Sequence, residues 1–182
     1  VETFEPAGVL TLLREHLPEA RYMVEQPDGA RLYTEDIPEW ELGRAKQVPF
    51  EVMLEVPVSR VVVVSPTHDN DDFLRLVESI GLNQVSYAVG WTAWLDIAPH
   101  GVNKGTALEQ VREWLGFAPA DVLVIGDGRN DLEMFAWARE AGGRAFAMGQ
   151  GPQEVLDAAT HITGTVHEGG AARVLRDLVA NA

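Results

Sequence analysis

The run Val122-Leu123-Val124-Ile125-Gly126-Asp127-Gly128-Arg129-Asn130-Asp131 puts two carboxylates and an amide directly behind an apolar stretch with the look of a strand. In open α/β sheets the carboxyl end of a strand is where ligands bind. Asp127 and Asp131, with Asn130 between them, offer the hard oxygen donors that suit Mg²⁺, an ion that keeps several waters and is often shared with substrate phosphate. Gly126 and Gly128 let the backbone approach a ligand closely. Helix capping accounts for the same residues in another way, with Asp127 or Asn130 as the cap and Asp131 in the first turn. A second run, Ile97-Ala98-Pro99-His100-Gly101-Val102-Asn103-Lys104-Gly105, brings a lysine to the start of a helix, where the macrodipole opposes a cation. Lys104 there could neutralise clustered carboxylates or grip a phosphoryl oxygen. It could equally be an exposed lysine whose small local penalty is tolerated.

The elements that must hold these residues are readable from periodicity. Residues 6–17 carry Val9, Leu10, Leu12, Leu13 and Leu17 at helical spacing, stopped by Pro18. Residues 20–26 and 30–34 read as two strands around the turn Pro27-Asp28-Gly29. Residues 36–48 are mixed and polar, with room for a short helix. A β-branched run over 60–65 predicts a buried strand, and a helix over 69–80 follows, capped by Asp69 or Asn70 and closed by Gly81. Residues 85–89 and 92–97 predict a second hairpin around Gly90-Trp91. This half reads as helices layered on an antiparallel sheet. After Pro99 the texture changes to helix 104–115 ending at Gly116, strand 122–125, helix 130–140, strand 144–148, helix 152–159, a short strand at 161–162 and helix 170–179. Strict alternation predicts a parallel sheet covered on both faces. The division falls near residues 97–101, giving an α+β domain over 1–98 and an α/β domain over 99–182.

Composition limits the function classes. The chain is 46% hydrophobic and 23% charged, within the ordinary globular range, which excludes disorder and coiled coil as the main description. A formal charge of −14 argues against nucleic acid as a partner, since phosphate backbones are held by Lys and Arg clusters. The absence of cysteine excludes disulfides, thiolate zinc sites and Cys nucleophiles. The first residues lack a secretory pattern, and no apolar run approaches a membrane span. The expectation is a cytoplasmic protein with no membrane partner.

Taken together, the two motif runs resemble the haloacid dehalogenase superfamily, in its Cof-like sugar-phosphatase branch with a large α+β cap. Residues 99–105 look like that branch's third motif, with Lys104 as its lysine, and residues 126–131 like its fourth, with Asp127 and Asp131 as the acidic pair. Residues 142–149 and the helix after them look like its closing strand and loop. The resemblance implies a Rossmann-like parallel-sheet core, here its C-terminal part only, preceded by the cap inserted into that core. It implies a Mg²⁺-dependent phosphatase acting on a small phosphorylated metabolite through an aspartyl-phosphate intermediate. By motif, Lys104 would orient the nucleophile and the phosphoryl group, Asn130 would touch the phosphate, Asp127 would bind Mg²⁺, and Asp131 would support the metal or Lys104.

The pattern departs from the family at its first motif, D-x-D-G-T. Only Gln26-Pro27-Asp28-Gly29-Ala30 is superficially similar, and Gln26 is an amide in what reads as a hairpin turn. Ser65-Pro66-Thr67 ends a strand but stands in the wrong order for the second motif. The expectation is therefore a chain that begins at the cap and is inactive alone. In the family the absent strand lies beside residues 122–125, so those residues would have a raw edge and nearby helices would expose apolar faces. A missing N-terminal segment or a second chain would complete the sheet. The reading from another class is a non-catalytic module that binds phosphate esters or regulates.

Of the weaker signals, Trp114 and Trp137 read as packing residues on core helices, and Trp91 and Trp94 as packing in the second hairpin, with a substrate-facing role conceivable. The five histidines show no metal-ligand spacing, and His100 reads as a solvated loop residue. Asp69-Asn70-Asp71-Asp72 reads as a helix N-terminus, without the Gly and Glu of a calcium loop.

Overall fold

Alternating faces dictate the first half of the chain. The computed structural model describes residues 1–36, 44–82, 85–89 and 93–180, and these form two units, Val1–Val102 and Asn103–Ala182. In the first unit, α1 (Ala7–His16), β1 (Arg21–Glu25), β2 (Arg31–Tyr33), β3 (Ala45–Gln47), α2 (Phe50–Met53), β4 (Arg60–Val64), α3 (Asn70–Ile80), β5 (Val85–Val89) and β6 (Trp94–Pro99) follow in order. Six strands form one sheet in the order β3-β2-β1-β4-β6-β5. All neighbours are antiparallel except β2 and β3. Tyr22, Val24, Val61, Val63, Leu95 and Ile97 point to one face and are buried with Leu10 and Leu13 of α1 and Phe73 and Val77 of α3. The intervening Met23 and Val62 are buried on the other face, under Tyr33, Val64 and Trp94. The buried Tyr22 hydroxyl donates to Leu17 O at 2.8 Å, and burial pushes its pKa up to about 12.

Both predicted hairpins and the layered α+β arrangement are present. Gln26 N and O close the first turn with Ala30 O and Gly29 N, so the Gln26–Ala30 run is a hairpin loop. Asp69 caps α3 through Asp72 N, and Gly81 ends it in the left-handed region at φ 70°. Two short elements differ from expectation. Residues 45–47 form β3 rather than helix, because β2 offers them an open parallel edge, and the four-residue α2 is not predicted. The rest of the expected short helix, residues 37–43, and the turn at Gly90-Trp91 lie outside the described residues.

In the second unit, α4 (Lys104–Leu115), β7 (Leu123–Gly126), α5 (Leu132–Glu140), β8 (Arg144–Met148), α6 (Gln153–Ala158), β9 (His161–Thr163) and α7 (Gly170–Ala180) alternate as predicted, with 3-10 turns at Pro119–Asp121 and Arg129–Asp131. The sheet order is β7-β8-β9, all parallel. Val124, Ala145 and Ala147 are buried against Met134, Phe135 and Ala138 of α5 and Val155 of α6. The expected cover on both faces is only half found among the described residues. The face bearing Leu123, Arg144 and Phe146 borders an open cavity of about 440 Å³ that Val174 and Leu178 of α7 also line. At the other end of the order, β7 has β8 as its one strand neighbour among the described residues. Val111, Trp114 and Leu115 of α4, Phe117, and Leu175 and Val179 of α7 are exposed. Trp114, expected to pack, is 73% exposed, since its face of α4 meets no apolar partner among the described residues. Among those residues no helix is long and apolar enough to cross a membrane.

Candidate functional site

Three parallel strands ending on one side bring their loops together, and the acidic run sits on the first of these loops. Lys104 opens α4 behind Asn103, whose Oδ1 accepts from Thr106 N at 2.9 Å while Thr106 Oγ1 accepts from Asn103 N at 3.0 Å. The two polar residues thus satisfy helix-end groups, offsetting the cost of a cation at N1. Lys104 Nζ lies 2.5 Å from Asp131 Oδ1. The pair is asymmetric: the Asp131 side chain is 5% exposed and that of Lys104 47%. Asp131 Oδ2 accepts from Asp127 N at 2.8 Å and Gly128 N at 3.0 Å. One carboxylate therefore ties the loop behind β7 to the lysine on α4.

Glycine makes the approach possible. A Cβ at Gly105 would lie 2.8 Å from the backbone Glu133 O and 3.1 Å from Trp137 Cβ, so the backbones of α4 and α5 come close just where Lys104 must reach Asp131. A Cβ at Gly126 would collide with the Asp131 side chain. Further along α4, Glu109 receives Arg112 Nε and Trp137 Nε1, both at 2.9 Å, and Arg112 Nη2 at 2.6 Å. These donors hold its carboxyl down to about 2, and they fasten α4 to α5. Trp137 packs as predicted.

Asp127 is half-buried. Its Oδ2 accepts from Gln150 Nε2 at 3.0 Å, and no hydrogen bond to Oδ1 is found among the described residues. Asn130 is exposed between the two carboxylates, and Arg129 Nε pairs with Glu154 Oε1 at 2.5 Å. The structure thus pairs the side chains of Lys104 and Asp131, ties Asp131 to the backbone N–H of Asp127, and leaves Asn130 exposed on the same loop. His100 is exposed at the end of the first unit. Gln150 escaped the sequence reading. The signal for it was its place behind β8, since ligand-lining residues in parallel sheets come from the carboxyl ends of adjacent strands.

No group of three His, Asp or Glu side chains converges as a cation cage among the described residues. The donor set nevertheless fits Mg²⁺, which is often held through one or two carboxylates, with waters and phosphate completing the shell. Of Asp127 and Asp131, Asp127 is the one with a carboxylate oxygen that accepts no hydrogen bond among the described residues.

Known proteins resemble the chain in sequence and in fold. The family model for haloacid dehalogenase-like hydrolases matches residues 30–175. The protein named "Putative phosphatase YxeH" of Bacillus subtilis (strain 168) is 33% identical over 162 residues, 84% of this chain and 58% of YxeH. SMU.1108c of Streptococcus mutans UA159 superposes with a TM-score of 0.78 at 19% identity, over 97% of this chain and 67% of that one. The haloacid dehalogenase subclass IIB sugar phosphatase BT4131 gives 0.77 at 16% identity, over 96% and 65%. The last two likenesses speak for the fold alone. The chain spans 58% of the length of YxeH.

Proposed function

Because the chain belongs to the haloacid dehalogenase-like hydrolases, we propose that the protein built on it is a Mg²⁺-dependent phosphatase for a small phosphorylated metabolite such as a sugar phosphate. The observation that carries this reading is the Lys104–Asp131 pair, 2.5 Å apart, with Asp131 clamping the loop that presents Asp127. The printed name of YxeH supports the class of reaction.

Phosphoryl transfer asks little covalent chemistry of most side chains and much positioning and charge stabilisation. Lys104 keeps roughly half its side chain accessible, so its ammonium can hold an anionic oxygen while Asp131 fixes its place. Asp131 acts on the site through that lysine and through the two loop N–H groups it accepts. Asn130 presents an exposed amide for a phosphate oxygen. Asp127 would hold Mg²⁺ there, its carboxylate being only partly engaged among the described residues. Bound there, the ion would supply positive charge against phosphate oxygens.

In this reading a carboxylate attacks phosphorus, the bond from phosphorus to the ester oxygen breaks, and a second carboxyl protonates the leaving oxygen. Water then hydrolyses the acyl phosphate. The attacking pair comes from a segment outside this chain, an N-terminal core segment or a second chain that adds a strand to β7. Support for that segment comes from β7 having one strand neighbour among the described residues and from the exposed Val111, Trp114, Leu115 and Phe117. The 182-residue chain is inactive alone on this account. The test is a panel of phosphate monoesters presented to the complete gene product with and without Mg²⁺. Hydrolysis that requires the ion and is lost in Asp127→Asn supports the reading. Phosphate-ester binding without turnover points to a regulatory module instead.

A further inference from the structure

We propose that Gln150 is a positioning residue for Asp127, an amide strut that fixes the carboxylate toward its cation. The inference rests on the reading of Asp127 as a metal ligand. Gln150 Nε2 donates to Asp127 Oδ2 at 3.0 Å, and Gln150 Oε1 accepts from Val166 N at 3.1 Å. The two partners determine the amide's orientation, because a backbone N–H requires the oxygen and a carboxylate requires the NH₂. The strut spans all three loops behind the parallel strands, from the β9 loop through the β8 loop to the β7 loop.

The backbone on either side of Gln150 is held as tightly as the side chain. A Cβ at Gly149 would lie 3.0 Å from Thr163 O, and one at Gly151 would lie 3.1 Å from Asp127 O. Gly151 N also donates to Met148 O at 2.9 Å. Two glycines pressed against neighbouring carbonyls leave Gln150 as the one side chain this stretch can direct at Asp127. With Oδ2 held by the amide, Asp127 offers Oδ1 to a cation in a single orientation. Partners of this kind orient metal-binding carboxylates, and their loss typically weakens metal affinity by about 10–100-fold.

The test is Mn²⁺ binding to the complete gene product, read by water-proton relaxation with Mn²⁺ as the paramagnetic probe for the Mg²⁺ position. The wild type binds, Asp127→Asn abolishes the signal, and Gln150→Leu raises the Kd by about tenfold with its melting temperature unchanged. Val166→Pro is the second variant. Thr165 O accepts from Glu168 N at 3.1 Å, so Val166 is the second residue of a turn, a position proline favours. The variant removes the N–H that steadies Gln150 while leaving the Gln150 side chain itself in place, and the Kd rises in the same direction by a smaller factor. If Gln150→Leu fails to fold, Val166→Pro decides alone. Binding by the wild type that both variants leave unchanged overturns the role of Gln150 and spares the metal site. No binding by the wild type overturns the metal reading and this inference together.

Discussion

A nearly buried carboxylate facing a half-exposed lysine is the residue-scale fact on which the site depends. Asp131 has three donors, Lys104 Nζ and the N–H groups of Asp127 and Gly128, so removing one leaves an anion short of partners in a place water reaches poorly. Lys104→Met is expected to cost about 1–3 kcal/mol in urea unfolding, the range for stranding a buried polar group. Combining it with Asp131→Asn in a double-mutant cycle should return a coupling of about 0.5–3 kcal/mol; a coupling near zero would mean the pair does not hold the loop. Lys104, Asp127 and Asp131 were legible in the sequence because strand, glycine and carboxylate follow one another there, and because a lysine at a helix start runs against the dipole. Gln150 was not. Its role depends on the Val166 N–H, 16 positions away, and no local pattern encodes that meeting.

At the scale of elements, α4 and α5 position the lysine, and Gly105 is a point where they approach closely. Gly105→Ala should destabilise the chain by about 1–3 kcal/mol, since the clash is with the Glu133 carbonyl and backbone cannot yield cheaply. Gly8→Ala in α1 meets nothing within 4 Å and should stabilise, by up to about 1 kcal/mol from helix propensity. Opposite signs in thermal melts of the two variants would confirm the contact. Glu109 adds a pH dependence. Its folded pKa of about 2 lies below the ordinary 4.5, so its stabilisation is present above pH 4.5 and is lost as pH falls toward 2. Glu109→Gln should therefore flatten the fall in stability between about pH 5 and about pH 3, measured as urea midpoints. Long periodic elements such as α3, α4 and β8 were readable to within a residue or two, since capping and periodicity are local. The three-residue β3 was not, because it exists only where β2 offers an edge.

At the scale of the whole molecule, several large apolar side chains stand exposed among the described residues. Trp114 and Phe117 are 73% and 56% exposed, and β7 ends the sheet. Sequence alone read Trp114 as a packing residue, because helical spacing reports an apolar stripe and not whether anything covers it. Trp114 should be freely quenched by acrylamide in the 182-residue chain and shielded in the complete protein, compared against Trp114→Phe. Equal quenching in both would mean that no further segment covers this face. The central claim is that Lys104, Asp127 and Asp131 serve phosphate-ester hydrolysis. It is tested most directly by Mg²⁺-dependent turnover of a sugar phosphate by the complete gene product, with Lys104→Met and Asp127→Asn beside the wild type. The account predicts turnover that needs Mg²⁺ and falls by roughly 10²–10³-fold in each variant. Turnover indifferent to the ion and to both substitutions would contradict it.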